Sequence, residues 1–335
     1  MLNGHGDDIY SYNRKIVSNF SSNIYNRQNL SALKSHLSSC LDLIQSYPEP
    51  DAHSLAVLIG EKHNIDTNNI CVTNGATEAI YLIAQAFSEK RSGIITPTFS
   101  EYEDACRIHK HRLSFSASLN DISQNSELIW LCNPNNPTGS AYNKQYLENF
   151  IMEHSNIYFV IDQSYAGFTN KEYVFTAKEA SKHKNIILLH SLTKEYAIAG
   201  LRLGYITAHN ELIKKAKAYR MPWSVNALAV EAGKFLLSGD KKYFDLNSYL
   251  AETNRLMTGL NNIEGLMVLP TNTHFFLCEL IKKKASDLKQ YLIDKHGILI
   301  RDAANFRGLD EHFFRVATQS PQENDILIKA IKEWM

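Results

Sequence analysis

Apolar residues fall into short blocks separated by polar and turn-forming stretches, and the spacing within each block predicts its element. The first thirty residues are polar and weakly periodic, which reads as an arm. Leu30, Leu33, Leu37, Leu41 and Ile44 recur at helical spacing. That helix is interrupted by Tyr47-Pro48-Glu49-Pro50, and a second short helix runs to about His63. An alternation follows. Strands are predicted at 70–73, 93–96, 128–132, 157–161, 186–189 and 201–207, with helices at 77–87, 99–110 and 142–154.

Strands alternating with helices imply a mostly parallel central sheet sandwiched by helices, an α/β fold. A helical stretch over 225–260 leaves this unit. The remainder reads as a smaller α+β domain built around 275–280, 298–301 and 313–317. The expected organisation is an arm at 1–30, a large domain at 31–225, and a small C-terminal domain with its linking helix at 226–335. The arm is expected to pack on the small domain.

The 335 residues are 44% hydrophobic and 21% charged, an ordinary globular balance with ample length for a core. Lys+Arg and Asp+Glu are both 35, so no broad attraction to nucleic acid or anionic membrane is expected, and an anionic ligand must be held by local charges. Cys40, Cys71, Cys106, Cys132 and Cys278 form no C-x-x-C pair. Neither a disulfide framework nor a metal site is expected. Met1 to Tyr12 lacks an apolar run, so a cytoplasmic protein without a signal peptide is expected.

In open α/β sheets ligands sit beyond the carboxyl ends of the strands. Four predicted strands end in chemistry. One leads into Asn74-Gly75-Ala76-Thr77 at a helix start. Another leads into Asn133-Pro134-Asn135-Asn136-Pro137-Thr138-Gly139. A third ends in Asp162 with Tyr165 in the next loop, and a fourth in Ser191-Leu192-Thr193-Lys194. Each alone has a plainer reading: a helix cap, a turn, a solvated lysine. Four together at strand ends point to one site.

This set, with Gly200-Leu201-Arg202-Leu203-Gly204-Tyr205, resembles the fold-type I pyridoxal 5'-phosphate (PLP) enzymes of the aspartate aminotransferase superfamily, over nearly the whole chain. The resemblance implies an aspartate aminotransferase-like fold with PLP as cofactor. It makes Lys194 the Schiff-base lysine and Asp162 the carboxylate beside the ring nitrogen. Tyr165 and Asn136 are then donors to the ring phenolate oxygen, and Phe99 the aromatic stacked on the ring. The phosphate would be held by Gly75, Ala76 and Thr77 at a helix N-terminus, by the Ser191 and Thr193 hydroxyls, and by Arg202.

More narrowly, the chain is similar to the threonine-phosphate decarboxylases that serve cobalamin biosynthesis, and to the histidinol-phosphate aminotransferases. His5-Gly6, Phe20-Ser21-Ser22-Asn23-Ile24 and Met221-Pro222-Trp223-Ser224-Val225-Asn226-Ala227 resemble the decarboxylases. Two departures are Asp7, where these relatives have glycine, and Tyr25-Asn26-Arg27-Gln28 after the second segment. The resemblance implies Arg301 and Arg315 as a substrate-binding pair, with His5, Asn23 and Asn136 completing a pocket for a small phosphorylated amino acid. L-threonine phosphate is the expected substrate, with L-serine phosphate or transamination as alternatives. Loss of CO2 from Cα would be followed by reprotonation, with Lys194 as donor. Tyr47 matches a tyrosine that crosses a dimer interface to the neighbour's cofactor phosphate, so a homodimer with shared active sites is implied.

Overall fold

A computed structural model describes residues 6–239 and 244–335 of the chain. The arm carries a two-residue strand, β1 (Ser18–Asn19), and leads into helices α1 (Ser31–Ser39) and α2 (His53–His63). The alternation runs β2 (Ile70–Thr73), α3 (Gly75–Ala86), β3 (Arg91–Ile95), α4 (Glu101–Ile108), β4 (Arg112–Ser116), β5 (Leu128–Cys132), α5 (Lys144–Glu153), β6 (Tyr158–Asp162), α6 (Ala177–Lys182), β7 (Ile186–Ser191), β8 (Gly204–Ala208) and α7 (Asn210–Lys217). These strands form one seven-stranded sheet in the order β2-β8-β7-β6-β5-β3-β4. β8 alone runs opposite to the other six strands.

The central strands β5, β6 and β7 are apolar up to their carboxyl ends because both faces of the sheet are covered. Along β5, Leu128 and Trp130 point to one face, packing with Ile80 and Ile83 of α3, Tyr102 of α4 and Ile213 of α7. Ile129 and Leu131 point to the other, against Leu147 and Ile151 of α5 and Ala180 of α6. This two-residue alternation between two cores fixes the register, since a slip of one residue would exchange every contact.

The chain continues through α8 (Ala227–Leu237), α9 (Leu246–Asn261), β9 (Leu266–Val268), β10 (Phe275–Leu280), α10 (Ala285–His296), β11 (Ile298–Leu299), β12 (Arg301–Asp302), β13 (Phe313–Ala317) and α11 (Pro321–Trp334). A four-stranded antiparallel sheet, β12-β13-β10-β9, has its own core, with Phe276, Phe314 and Val316 packed on Leu256, Leu288 and Leu327. The arm is clipped to this unit: β1 pairs with β11, and Asp8 meets Lys289 at 3.0 Å. Among the described residues no helix is long and apolar enough to cross a membrane.

The periodicity omits α6 and α7 and misreads two further places. The helical stretch over 225–260 is two helices. Asn226 caps α8 by accepting the Ala229 N–H at 2.8 Å, and Asp245 caps α9. Between them Gly239 takes φ +87°, in the left-handed region that ends helices. The predicted pattern also passes over β4, a short sheet-edge strand whose polar and apolar residues alternate but whose positions are mostly half-buried.

Gly204 is where β8 meets the start of α3. A Cβ there would lie 2.7 Å from His190 O and 2.8 Å from Ala76 N, so only glycine lets the start of α3 rest on β8. Gly204→Ala is therefore expected to cost roughly 1–3 kcal/mol of stability, as overpacking does. It should also loosen anion binding at the start of α3. Chemical denaturation and cofactor titration read the two effects.

Candidate active site

The sheet delivers its polar residues to one cavity of about 250 Å3. Ala76, Thr77, Phe99, Asn136, Asp162, Tyr165, Ser191, Thr193, Lys194, Arg202 and Arg315 all line it, with Asn23 and Asp7 from the arm. Gly75 opens α3 at φ +79°, and a Cβ there would lie 2.9 Å from Arg202 Nη2. The first N–H groups of α3, the hydroxyls after β7 and the Arg202 guanidinium thus converge, as an anion site requires.

Asp162 ends β6 and is buried. Its Oδ1 accepts the Ser164 N–H at 2.8 Å, and its Oδ2 accepts the Tyr102 hydroxyl at 2.7 Å. Burial raises its pKa, while these donors and the Lys194 ammonium pull it back. Lys194 is affected in the opposite sense. Burial pushes its pKa down to about 8, aided by Arg315 and Arg202 and opposed by Asp7 and Asp162. A buried carboxylate and a buried amine are each held toward their neutral forms.

Tyr165 is buried, and its hydroxyl accepts the Asn23 Nδ2–H at 3.2 Å. Burial raises its pKa, so the phenol keeps its proton and remains a donor. Asn136 Oδ1 accepts from Arg315 Nη1, and Arg315 Nη2 donates to Ser21 O. Phe99 lies edge-on to Tyr102, with ring centres 5.9 Å apart.

Arg301 and Arg315 are directly paired across β12 and β13, and both are buried. Arg301 lines a second cavity of about 450 Å3, which adjoins the first at Gly6, Phe99, Asn136 and Arg315. Its Nη2 donates to Asn305 Oδ1 at 2.7 Å. Tyr47 lies outside both cavities, 85% exposed and 5.3 Å from the Trp223 ring. His5 lies outside the described residues.

Three residues of the site escape the motifs. Tyr102 is three residues beyond Phe99 and reads as a core aromatic until α4 turns its hydroxyl onto Asp162. Asp7 adopts φ 64°, and its N–H donates to Ser21 Oγ at 3.1 Å. It therefore occupies a glycine-like conformation while adding a carboxylate to the cavity. His274 is fully buried behind Asn23, and no spacing marks it.

Among the described residues one group has metal-ligand chemistry. His36, Cys40 and Glu231 place one atom each within 4.8 Å of one another. It lines neither cavity, and Glu231 is already paired with Lys234 at 2.9 Å while His36 stacks on Phe235.

The description "aminotransferase class I and II" fits residues 15–331. The chain belongs to that family. The crystal structure of L-threonine-O-3-phosphate decarboxylase from Porphyromonas gingivalis superposes with a TM-score of 0.92 at 40% identity, covering 95% of this chain and 99% of that one. The threonine-phosphate decarboxylase of Salmonella typhimurium is 31% identical over 90% of this chain and 86% of its own. A histidinol-phosphate aminotransferase of Caldanaerobacter subterraneus is 30% identical over 87% and 84%.

The cofactor of this family member is PLP, and the residues present fit it. Two buried atoms of cavity-lining residues, Asn23 Oδ1 and Arg315 Nε, have no hydrogen-bond partner among the described residues. The buried Asp162 carboxylate suits a cationic ring nitrogen, the start of α3 with Arg202 suits a phosphate, and Lys194 suits an aldehyde. Only the neutral amine attacks a carbonyl. An ordinary lysine is half neutral near 10.5, whereas Lys194 is half neutral near 8. The rate at which apoenzyme recovers its visible absorbance with PLP should therefore rise with pH and level off above about 8. A rate still climbing steeply at pH 9.5 would contradict the lowered pKa. Borohydride should fix the cofactor on Lys194, and Lys194→Ala should abolish that label.

Proposed function

We propose that this chain is a PLP-dependent decarboxylase converting L-threonine O-3-phosphate to (R)-1-aminopropan-2-yl phosphate and CO2, for cobalamin biosynthesis. The observation that carries this reading is the Arg301–Arg315 pair. Like charges set directly opposite on paired strands repel, and burial makes the repulsion worse. Burial depresses both guanidinium pKa values, and Arg301 adds to the effect on Arg315. Such a pair suits a ligand with two anionic ends. An amino-acid phosphate has a carboxylate and a phosphate. The similarity to the P. gingivalis decarboxylase supports the same choice.

Bound PLP supplies an electron sink for the pair left on Cα when CO2 departs. The chain's own residues do the rest. The two arginines grip the anionic groups and thereby set which Cα bond stands across the ring. Asn23 completes that pocket, and His5 is assigned to it by resemblance alone. Asp162, held by Tyr102 and Ser164, keeps positive charge at the ring nitrogen. Tyr165 and Asn136 donate to the ring oxygen. Lys194 would hold the cofactor's aldehyde carbon and would supply a proton to Cα.

The working unit is proposed to be a cytoplasmic homodimer. Ile44, Tyr47, Met221 and Trp223 are exposed, and the two segments are tied together by the Trp223 N–H donating to Pro50 O at 2.9 Å. This apolar face is the surface on which a second copy would sit, with Tyr47 reaching its cofactor phosphate.

The reading is tested by supplying L-threonine phosphate without any 2-oxo acid. CO2 and an amine phosphate should form over many turnovers. Formation of one equivalent of pyridoxamine phosphate, with turnover only when 2-oxoglutarate is added, would instead support the histidinol-phosphate aminotransferase reading that the Caldanaerobacter relative favours. Arg301→Ala removes a charged hydrogen-bond donor worth about 1.5–3 kcal/mol, so KM should rise roughly 10- to 100-fold. An unchanged KM would remove Arg301 from the substrate site.

A further inference from the structure

His274 immediately precedes β10 and is fully buried in an aromatic box. Its ring centre is 3.9 Å from that of Phe168 and 5.5 Å from that of Tyr249. Aromatic packing alone would be served as well by phenylalanine. The imidazole differs in its nitrogens. Nε2 lies 3.1 Å from Asn23 O, and Nδ1 lies 3.3 Å from Thr273 Oγ1. A carbonyl only accepts, so Nε2 carries the proton and donates, and Nδ1 accepts from the threonine. One neutral tautomer satisfies both contacts. Burial, with Arg315 and Lys194 nearby, keeps the ring neutral by pushing its pKa down to about 3.

Asn23 is itself a link. Its backbone carbonyl is held by His274, and its side-chain amide donates to the Tyr165 hydroxyl. A chain of contacts thus runs from the core behind β10, through the arm, to the phenol that faces the cofactor. Tyr25, two residues on, has its N–H bonded to Lys194 O at 3.0 Å, so the arm is anchored on both sides of Asn23.

We infer that His274 is a positioning residue: its Nε2–H fixes the arm at Asn23 so that the Asn23 amide is held on the Tyr165 hydroxyl and tunes the bond Tyr165 makes to the cofactor's ring oxygen. The inference rests on the PLP site proposed above and on no choice between decarboxylation and transamination. The physical basis is hydrogen-bond cooperativity. A phenol that accepts a hydrogen bond becomes a stronger donor. A stronger donor stabilises negative charge on the ring oxygen and lowers the pH at which the bound cofactor takes up its proton.

The test uses holoenzyme without substrate and follows the cofactor's visible absorbance against pH. His274→Phe fits the aromatic box but cannot hold Asn23, and it should raise the titration midpoint by about half a unit. Asn23→Ala should raise it similarly. The double variant should move no further, because both changes break one chain of contacts. His274→Gln, whose amide can donate where Nε2–H does, should restore the wild-type midpoint. If His274→Phe does not fold, His274→Asn, whose amide stops short of Asn23 O, should show the same raised midpoint. Amide exchange over residues 18–25 should quicken in the Phe or Asn variant and not in the Gln variant.

A raised melting temperature or a lowered one, with the midpoint unmoved, would reduce His274 to a packing residue and overturn the inference. So would shifts that add in the double variant. Absence of any visible band in the wild-type protein would instead remove the PLP site itself, a separate and recognisable failure.

Discussion

A charge taken out of water must be answered by an opposite charge or by donors, or the group gives up its charge. That constraint governs everything around Lys194. The sheet brings a carboxylate and an amine to neighbouring strand ends, and burial holds both toward neutrality. Tyr102 and Ser164 spend two of the best donors in the core on keeping Asp162 charged and aimed. Lys194 gets less help, because Arg315 and Arg202 work against its charge. The result suits a lysine that must be an uncharged nucleophile near neutral pH and a carboxylate that must face a cation.

The chemistry at the strand ends was legible because it is local. Each motif is a strand, a turn and one or two side chains, so its order in the sequence is its order in space. The helix starting at Gly75 and the loop after Asp162 are fixed by contacts within a few residues, such as the Ser164 N–H on Asp162. The family pattern could be laid on them directly. What stayed hidden depends on distant segments. Tyr102 joins the site only because α4 crosses the sheet 60 residues before Asp162, and His274 only because β10 returns 251 residues after Asn23. A buried histidine and a buried tyrosine look like core residues in any local window. The broken helix over 225–260 shows the same limit from the other side. Apolar spacing carried across it, while Gly239 and the Asp245 cap, which the spacing does not register, divided it.

The arm shows how one departure can be absorbed. Asp7 stands where the related decarboxylases have glycine, and the backbone still takes the left-handed conformation that glycine favours. The Ser21 hydroxyl and the Asn19 amide compensate, and the carboxylate ends up on the cavity wall. It adds a negative charge beside Lys194 and so partly offsets the arginines. The arm is thus part of the electrostatics of the site, as well as its cover.

Arg315 ties these pieces together. One guanidinium bonds Asn136 on the cofactor side and Ser21 O on the arm, and it lines both cavities. Decarboxylation and transamination share every residue that would touch PLP. They differ in which bond at Cα stands perpendicular to the ring, and that is decided by where the substrate's anionic ends are pinned. In this chain the residues proposed as those pins are Arg301 and Arg315, set side by side by strand pairing. On the proposed reading, reaction type is encoded less in the lysine that would hold the cofactor than in two arginines and the arm folded against them.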